Sequence, residues 1–299
     1  MYKVAVLLSS YNGARYIDEQ INSLLNQKDV ELMIVVRDDG SSDGTQDILN
    51  FYQEQGLLKW YQGENIGWAR SFMHLLINAP SAEYYAFCDQ DDIWLPNKLK
   101  VAINKLDHLE SKIKMYCSNL TNYKNGVECG LVRKDNVEFN KYNSLIYNIS
   151  NGCTSLFTKE LVDIIKQYPP KILYAHDYWV YLSAIFLGEV YYDNDSYILY
   201  RQHDSNEVGG SKSFWQKSKI RWNRLRSIKN QHEREMMAKE LLSCYLRYLT
   251  EDNIRIIDKV ANYRKNLYTR FSLFLDNRYS FDSFLSNFFL RVRIIISRV

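Results

Sequence analysis

The chain has 299 residues, 46% of them hydrophobic and 24% charged, with a formal net charge of +3. Such a composition excludes a disordered or fibrous chain, and the length suits one large globular domain or a domain with an appendage. The small net charge hides an asymmetry: residues 1–211 hold 19 Lys and Arg against 27 Asp and Glu, whereas 212–299 hold 19 against 8.

Met1-Tyr2-Lys3 leads into an apolar run, Val4–Leu8, which is too short for a signal peptide or a membrane span, so a cytoplasmic location is expected. The run reads as a strand buried on both faces of a parallel sheet. Ser9-Ser10-Tyr11-Asn12-Gly13 forms its turn, and Tyr16, Ile17, Ile21, Leu24 and Leu25 make the apolar stripe of a helix. Leu32–Val36 is the next strand, closing on Arg37-Asp38-Asp39-Gly40, followed by a helix over Thr45–Gln55. Leu57–Tyr61 is a third strand, Trp68–Ile77 a helix and Tyr84–Cys88 a fourth strand. This βαβαβαβ alternation predicts an α/β fold with a mainly parallel, Rossmann-like sheet, in which ligands bind beyond the carboxyl ends of the strands.

The fourth strand runs into Asp89-Gln90-Asp91-Asp92, three carboxylates within four residues. Like charges this close need a partner, and a hard divalent cation shared with a diphosphate supplies one. A solvated acidic turn, with Asp92 capping a helix that opens at Leu95-Pro96, explains the same residues. On this stretch alone both readings stand.

From Met115 the pattern becomes mixed. Met115–Leu120, Leu131–Arg133 and Gly152–Phe157 read as strands, and Lys159–Tyr168 and Tyr178–Leu187 as helices. Glu189–Tyr192 and Tyr197–Arg201 read as a hairpin turning on Asp193-Asn194-Asp195-Ser196. Beyond Gly209-Gly210 only helices are expected, at roughly 213–229, 231–249, 252–268 and a broken stretch to 299. The expected division is therefore 1–211 and a basic helical C-terminal region, 212–299. Its last stretch, Phe284–Ile296, mixes large apolar residues with Arg. It suits an interfacial helix on an anionic membrane, or a helix packed on the main domain or on the partner in a homodimer. The five cysteines are scattered with no CxxC pair, so neither a zinc site nor a disulfide framework is indicated.

Four segments carry a resemblance. Val4–Asn12, Arg37–Thr45, Glu64-Asn65-Ile66-Gly67-Trp68-Ala69-Arg70 and Asp89-Gln90-Asp91-Asp92 resemble, in order, the motifs of the family 2 inverting glycosyltransferases. The likeness is strong over about the first 110 residues and weak to about 210. It implies the GT-A fold with a mixed acceptor half, a nucleotide-sugar donor and a Mn²⁺ or Mg²⁺ cofactor. Ser10, Tyr11, Asn12, Asp38, Asp39, Asn65, Arg70, Asp89 and Gln90 would line the donor site, and Asp91 would be the main metal ligand. His176-Asp177-Tyr178-Trp179 resembles the segment that carries the family's base, which makes Asp177 the candidate; many relatives have Glu where this chain has His176. Tyr200-Arg201-Gln202-His203 resembles a segment of bacterial members that transfer rhamnose and related sugars. There His203 would complete the metal shell and Arg201 would face the leaving diphosphate. Trp94 and Trp179 suit either sugar stacking or the core.

The implied reaction is inverting transfer of a sugar, with rhamnose the leading choice, from a dTDP- or UDP-sugar to a glycan or lipid-linked acceptor. Cell-surface polysaccharide synthesis at the inner membrane face is its natural setting. A nucleotidyltransferase would want a Gly-rich phosphate loop where this chain has Ser9–Arg15. A nucleic-acid module would have to use the basic helices, which carry no groove-reading motif, so no nucleic-acid partner is expected.

Overall fold

The computed structural model describes residues 1–202, 232–281 and 283–299. The predicted helix at 213–229, Gly209-Gly210 and His203 lie outside the described residues. Strand β1 (Tyr2–Ser10) is the axis of the first unit. Val4, Ala5, Val6, Leu7 and Leu8 are wholly buried, as a strand apolar on both faces requires. Each of the Val and Leu side chains contributes about 1.5–3 kcal/mol by leaving water. β2 (Val30–Asp38) and β4 (Tyr84–Cys88) flank β1 in parallel, and β3 (Lys59–Gln62) adds in parallel to β2. Helices α1 (Ile17–Leu25), α2 (Thr45–Glu54) and α3 (Trp68–Ile77) make the crossovers. In this register Ser10 pairs with Asp38, Asp38 with Gln62 and Leu8 with Cys88. The three polar clusters therefore leave the same edge of the sheet, as the alternation predicts.

Past the acidic stretch the order is β5 (Ile93–Trp94), α4 (Lys98–Asp107), β6 (Lys114–Lys124), β7 (Val127–Leu131), α5 (Lys141–Ser144), β8 (Leu156–Thr158), α6 (Lys159–Gln167), α7 (His176–Leu187) and β9 (Glu189–Arg201). The strand order is β3-β2-β1-β4-β8-β6-β9-β5, with β7 paired to β6. β8 enters antiparallel between β4 and β6, which makes this half mixed.

Three expectations change. Residues 189–201 form one strand parallel to β6, not a hairpin. Asp193–Ser196 is taken up as a bulge, because Ser118 pairs with Asp193 while the next residue, Asn119, pairs with Ser196. Asn119 holds the bulge by donating from Nδ2 to the Asn194 carbonyl, at 3.2 Å. Gly152–Thr154 is a 3₁₀ turn ahead of β8 rather than part of the strand. Asp92 caps no helix, since β5 intervenes and α4 begins at Lys98 behind Asn97.

This first unit comprises Met1–Val137, Ser150–Pro169 and the described residues of Ala175–Asp204. The second takes Glu138–Ile149 and Pro170–Tyr174 together with the described C-terminal helices: α8 (Glu233–Tyr245), α9 (Glu251–Ala261), α10 (Leu267–Leu275) and α11 (Phe284–Ile295). The buried Glu235 is its polar centre, paired with Arg264 and Lys239. Burial disfavours that carboxylate, but the two cations outweigh it and hold its pKa below the usual range. Among the described residues no helix is long and apolar enough to cross a membrane.

Candidate active site

The loops after β1 and β2 are joined by polar side chains. Asn12 sits in the left-handed region (φ 49°), donates its N–H to Ser41 Oγ (2.8 Å) and accepts from the Ser42 N–H (2.9 Å). The N–H groups of Gly13 and Ala14 donate to Thr45 Oγ1 and Asp43 Oδ2. Asp38 is fully buried and committed to this turn. It accepts from Ser10 Oγ (2.9 Å), from the N–H and hydroxyl of Ser41 and from Gln46 Nε2. Asp39 is buried beside Arg37 in an ion pair and also accepts from the Ile66 N–H at 3.3 Å. Arg37 reaches on to Ser71 Oγ (3.1 Å) and the Glu64 carbonyl (2.9 Å). A side chain at Gly63 would collide with that guanidinium. Asn65 accepts from the Gly67 N–H, and Arg70 lies exposed in the first turn of α3.

The Gln90 amide ties the acidic stretch to β1. Its Oε1 accepts from the Tyr11 N–H (2.9 Å) and its Nε2 donates to the Tyr11 carbonyl (3.1 Å). Gly13 lacks a side chain because a Cβ there would strike this amide. Asp89 and Asp91 are half-buried, whereas Asp92 is wholly buried. Asp92 Oδ1 accepts from the Arg201 N–H at 3.2 Å, while Oδ2 is buried and meets no nitrogen or oxygen donor among the described residues. Arg201 also donates from Nε to the Asp91 carbonyl (2.8 Å) and pairs with Glu19 (2.5 Å). Asp89, Asp92 and Cys153 bring one ligand atom each within 4.8 Å of one another. Burial raises the pKa of Asp92, and the neighbouring Asp91 and Asp89 raise it further. Burial likewise pushes the Cys153 thiol up, Asp92 and Asp89 push it further, and the thiol hydrogen-bonds to Asp92. Crowded carboxylates with a buried oxygen that meets no nitrogen or oxygen donor fit a hard divalent cation. Beneath them lies Lys98, 1% exposed, with its ammonium 3.4 Å from the Trp94 ring centroid. Burial lowers its pKa to about 8, against the pull of Cys153, Cys88 and Asp92.

Asp177 sits in the first turn of α7, where a negative charge is favoured, and accepts from the Tyr178 N–H at 2.7 Å. The preceding His176 is buried, stacked on Phe72 (centroids 4.1 Å) and edge-on to Phe87 (4.7 Å). A Cβ at Gly152 would lie 2.7 Å from His176 Nε2 and 3.5 Å from Asp177 Cβ. Gly152-Cys153 thus lies between the start of α7 and the acidic stretch, with Gly152 packed close to His176 and Cys153 beside Asp89 and Asp92.

Both His176 ring nitrogens are buried with no hydrogen-bond partner among the described residues, and burial lowers the pKa to about 3. An unfolded histidine titrates near 6.5, so between these values the unfolded state binds the extra proton and stability falls as pH falls. From pH 7 to 5 this group should withdraw about 2 kcal/mol. Urea melts at the two pH values should therefore show a smaller loss for His176→Phe than for the wild type. Equal losses would mean that the folded protein protonates His176.

The structure thus brings Ser10, Tyr11, Asn12, Asp38, Asp39, Asp89, Gln90, Asp91 and Arg201 to one sheet edge and sets the Gly152-Cys153 turn between the start of α7, where Asp177 lies, and the acidic stretch. The cluster of possible ligand atoms contains Asp92 and does not include Asp91. Trp94 and Trp179 are core residues, 2% and 0% exposed, with no face for a sugar. Arg37, Lys98 and Gly152-Cys153 had no role in the sequence reading. Arg37 stood inside a quoted motif, Lys98 resembled an ordinary helix-face lysine, and Gly152 lay within an apparent strand.

Residues 5–156 match the family described as Glycosyl transferase family 2. The dTDP-rhamnosyl transferase RfbG of Shigella flexneri is 29% identical over 249 residues, which are 78% of this chain and 82% of that protein. The putative teichuronic acid biosynthesis glycosyltransferase TuaG of Bacillus subtilis is 27% identical over 242 residues, 77% of this chain and 89% of that protein. Two relatives from Rickettsia, named as uncharacterized glycosyltransferases, are longer, and the chain spans 64% of each. The mannosyltransferase PcManGT from Pyrobaculum calidifontis, solved with GDP-Man and Mn²⁺, has a TM-score of 0.54 over 99% of this chain and 86% of its own. At 14% identity that is a likeness of fold, the GT-A fold. The family match covers half the chain and contains the polar clusters after β1, β2 and β4 that meet at the sheet edge: the protein is a glycosyltransferase and belongs to glycosyl transferase family 2.

Proposed function

We propose that the chain is an inverting, metal-dependent transferase. In this reading it moves a sugar, rhamnose first, from a dTDP- or UDP-sugar to a glycan or lipid-linked acceptor in cell-surface polysaccharide synthesis. The observation that carries the reading is the Gly152-Cys153 turn, which leaves no room for a side chain beside His176-Asp177 at one residue and meets Asp89 and Asp92 at the next. A candidate base beside a candidate diphosphate site is what direct displacement needs. The acceptor oxygen bonds to the anomeric carbon as the bond from that carbon to the diphosphate breaks. Asp177 takes the hydroxyl proton. Arg201, held against the Asp91 carbonyl, faces the departing charge. Asp39, Tyr11, Asn12, Asn65 and Arg70 receive the nucleotide, and Ser10 and Asp38 shape the turn beneath it. Asp89, Asp91 and Asp92 would hold Mn²⁺ or Mg²⁺, which would offset the charge of the diphosphate. His203 is proposed as a further ligand on the resemblance alone.

The rhamnosyl choice is supported by the name of the Shigella relative, and the polysaccharide setting by that of the Bacillus relative. Residues 1–211 would carry the transfer chemistry and 212–299 the contact with the cell membrane. The test is a panel of nucleotide sugars with Mn²⁺ or Mg²⁺, read as nucleoside diphosphate released. dTDP-rhamnose is expected to be turned over fastest. Faster turnover of another sugar would refute the rhamnosyl assignment. Asp91→Ala should abolish the release while leaving the circular dichroism unchanged, and full retention would remove Asp91 from the metal site.

A further inference from the structure

Helices α10 and α11 of the second unit leave an apolar face uncovered. Leu267, Phe271 and Leu275 recur at four-residue spacing on α10 and are 66%, 56% and 70% exposed. Phe284, Phe288 and Ile295 line one stripe of α11 and are 90%, 56% and 52% exposed. The inward-facing residues Leu273, Leu290 and Ile294 are buried. The two stripes meet: Leu267, Phe271, Phe274 and Ile295 line one depression of about 160 Å³ with Arg270. Arg291 fastens the pair by donating to the carbonyls of Leu273 (3.0 Å) and Asp276 (3.1 Å) at the end of α10. Of the 22 large apolar residues exposed among those described, eight fall between 267 and 296. Scattered apolar residues are ordinary on a surface, whereas a contiguous patch this dense marks an interaction site.

We infer that this face is the chain's seat on an anionic membrane surface, with the apolar stripes entering the headgroup boundary and the surrounding arginines meeting lipid phosphate. This rests on the membrane-facing part of the proposed function and gives it a location. Charge decides between the candidate occupants. Residues 267–299 hold five basic residues and two acidic ones. One of the acids, Asp276, is already paired with Lys259 and Arg278 at 2.7 Å each. A second copy docked on this face would set like charge against like charge, while an anionic bilayer supplies both the apolar depth and the opposite sign.

Co-sedimentation of the full chain with vesicles of phosphatidylcholine, with and without phosphatidylglycerol, tests this. Binding is expected with phosphatidylglycerol present and should fall as salt rises. The double variant Phe271→Ser/Phe288→Ser, altered only at exposed positions, should bind about tenfold more weakly with its circular dichroism unchanged. Equal binding by wild type and variant would overturn the inference, as would no binding to either vesicle. A dimer in sedimentation velocity that the double variant disperses would assign the face to a second copy and would also overturn it. Release of nucleoside diphosphate from a soluble donor, measured alongside, reports on the transfer reading separately.

Discussion

Asp177→Asn should lower the rate of sugar transfer by about 10²- to 10⁴-fold, the range that a positioned general base contributes. The substitution keeps the shape and the hydrogen bond to the Tyr178 N–H while removing the group that accepts the acceptor's proton. Donor affinity, measured by calorimetry with dTDP, should be unchanged, because in the proposed site the nucleotide lies on the loops after β1 and β2. A loss confined to kcat would identify an interaction made in the transition state. A variant within threefold of the wild type would exclude Asp177 as the base.

Lys98→Met should raise folding stability by about 1–4 kcal/mol. The side chain keeps its length against Trp94, and the penalty of burying an ammonium, which lowers the Lys98 pKa to about 8, disappears. A loss of stability in urea denaturation would show that the buried ammonium is net favourable where it lies. Asp92→Asn, made alone and on the same background, measures what the two groups sense of each other. The double-mutant cycle should give a coupling of about 1–3 kcal/mol. Strict additivity in urea denaturation would show that Lys98 and Asp92 do not sense each other.

The half of the chain with regular alternation was readable. An all-apolar run such as Val4–Leu8 has few alternatives to a central parallel strand, and once β1, β2 and β4 are parallel their polar ends must share an edge. The mixed half was less so. Asp193–Ser196 has the composition of a turn, yet it bulges, because β6 offers Asn119 as a partner for its backbone and sequence cannot show a partner 75 positions away. The acidic stretch shows the same limit. Its three carboxylates look alike in sequence, and only the pairing of β5 with β9 draws Asp92 under the sheet edge and leaves Asp89 and Asp91 nearer the surface. Gly152 was hidden because a glycine required by a neighbouring histidine looks like any other in a strand-like run.

The stitching of the loops after β1 and β2 bears on how a donor is captured. Asn12, Gly13 and Ala14 are fixed to Ser41, Ser42, Asp43 and Thr45 by hydrogen bonds between protein groups alone. In the proposed donor site these ties leave little loop ordering to oppose binding. Its affinity for a nucleotide then reflects the fit of base and ribose to a rigid mould. A cut in a stitch outside the proposed ligand contacts, such as Ser41→Ala, would act at a distance by loosening the mould without removing a contact to the ligand.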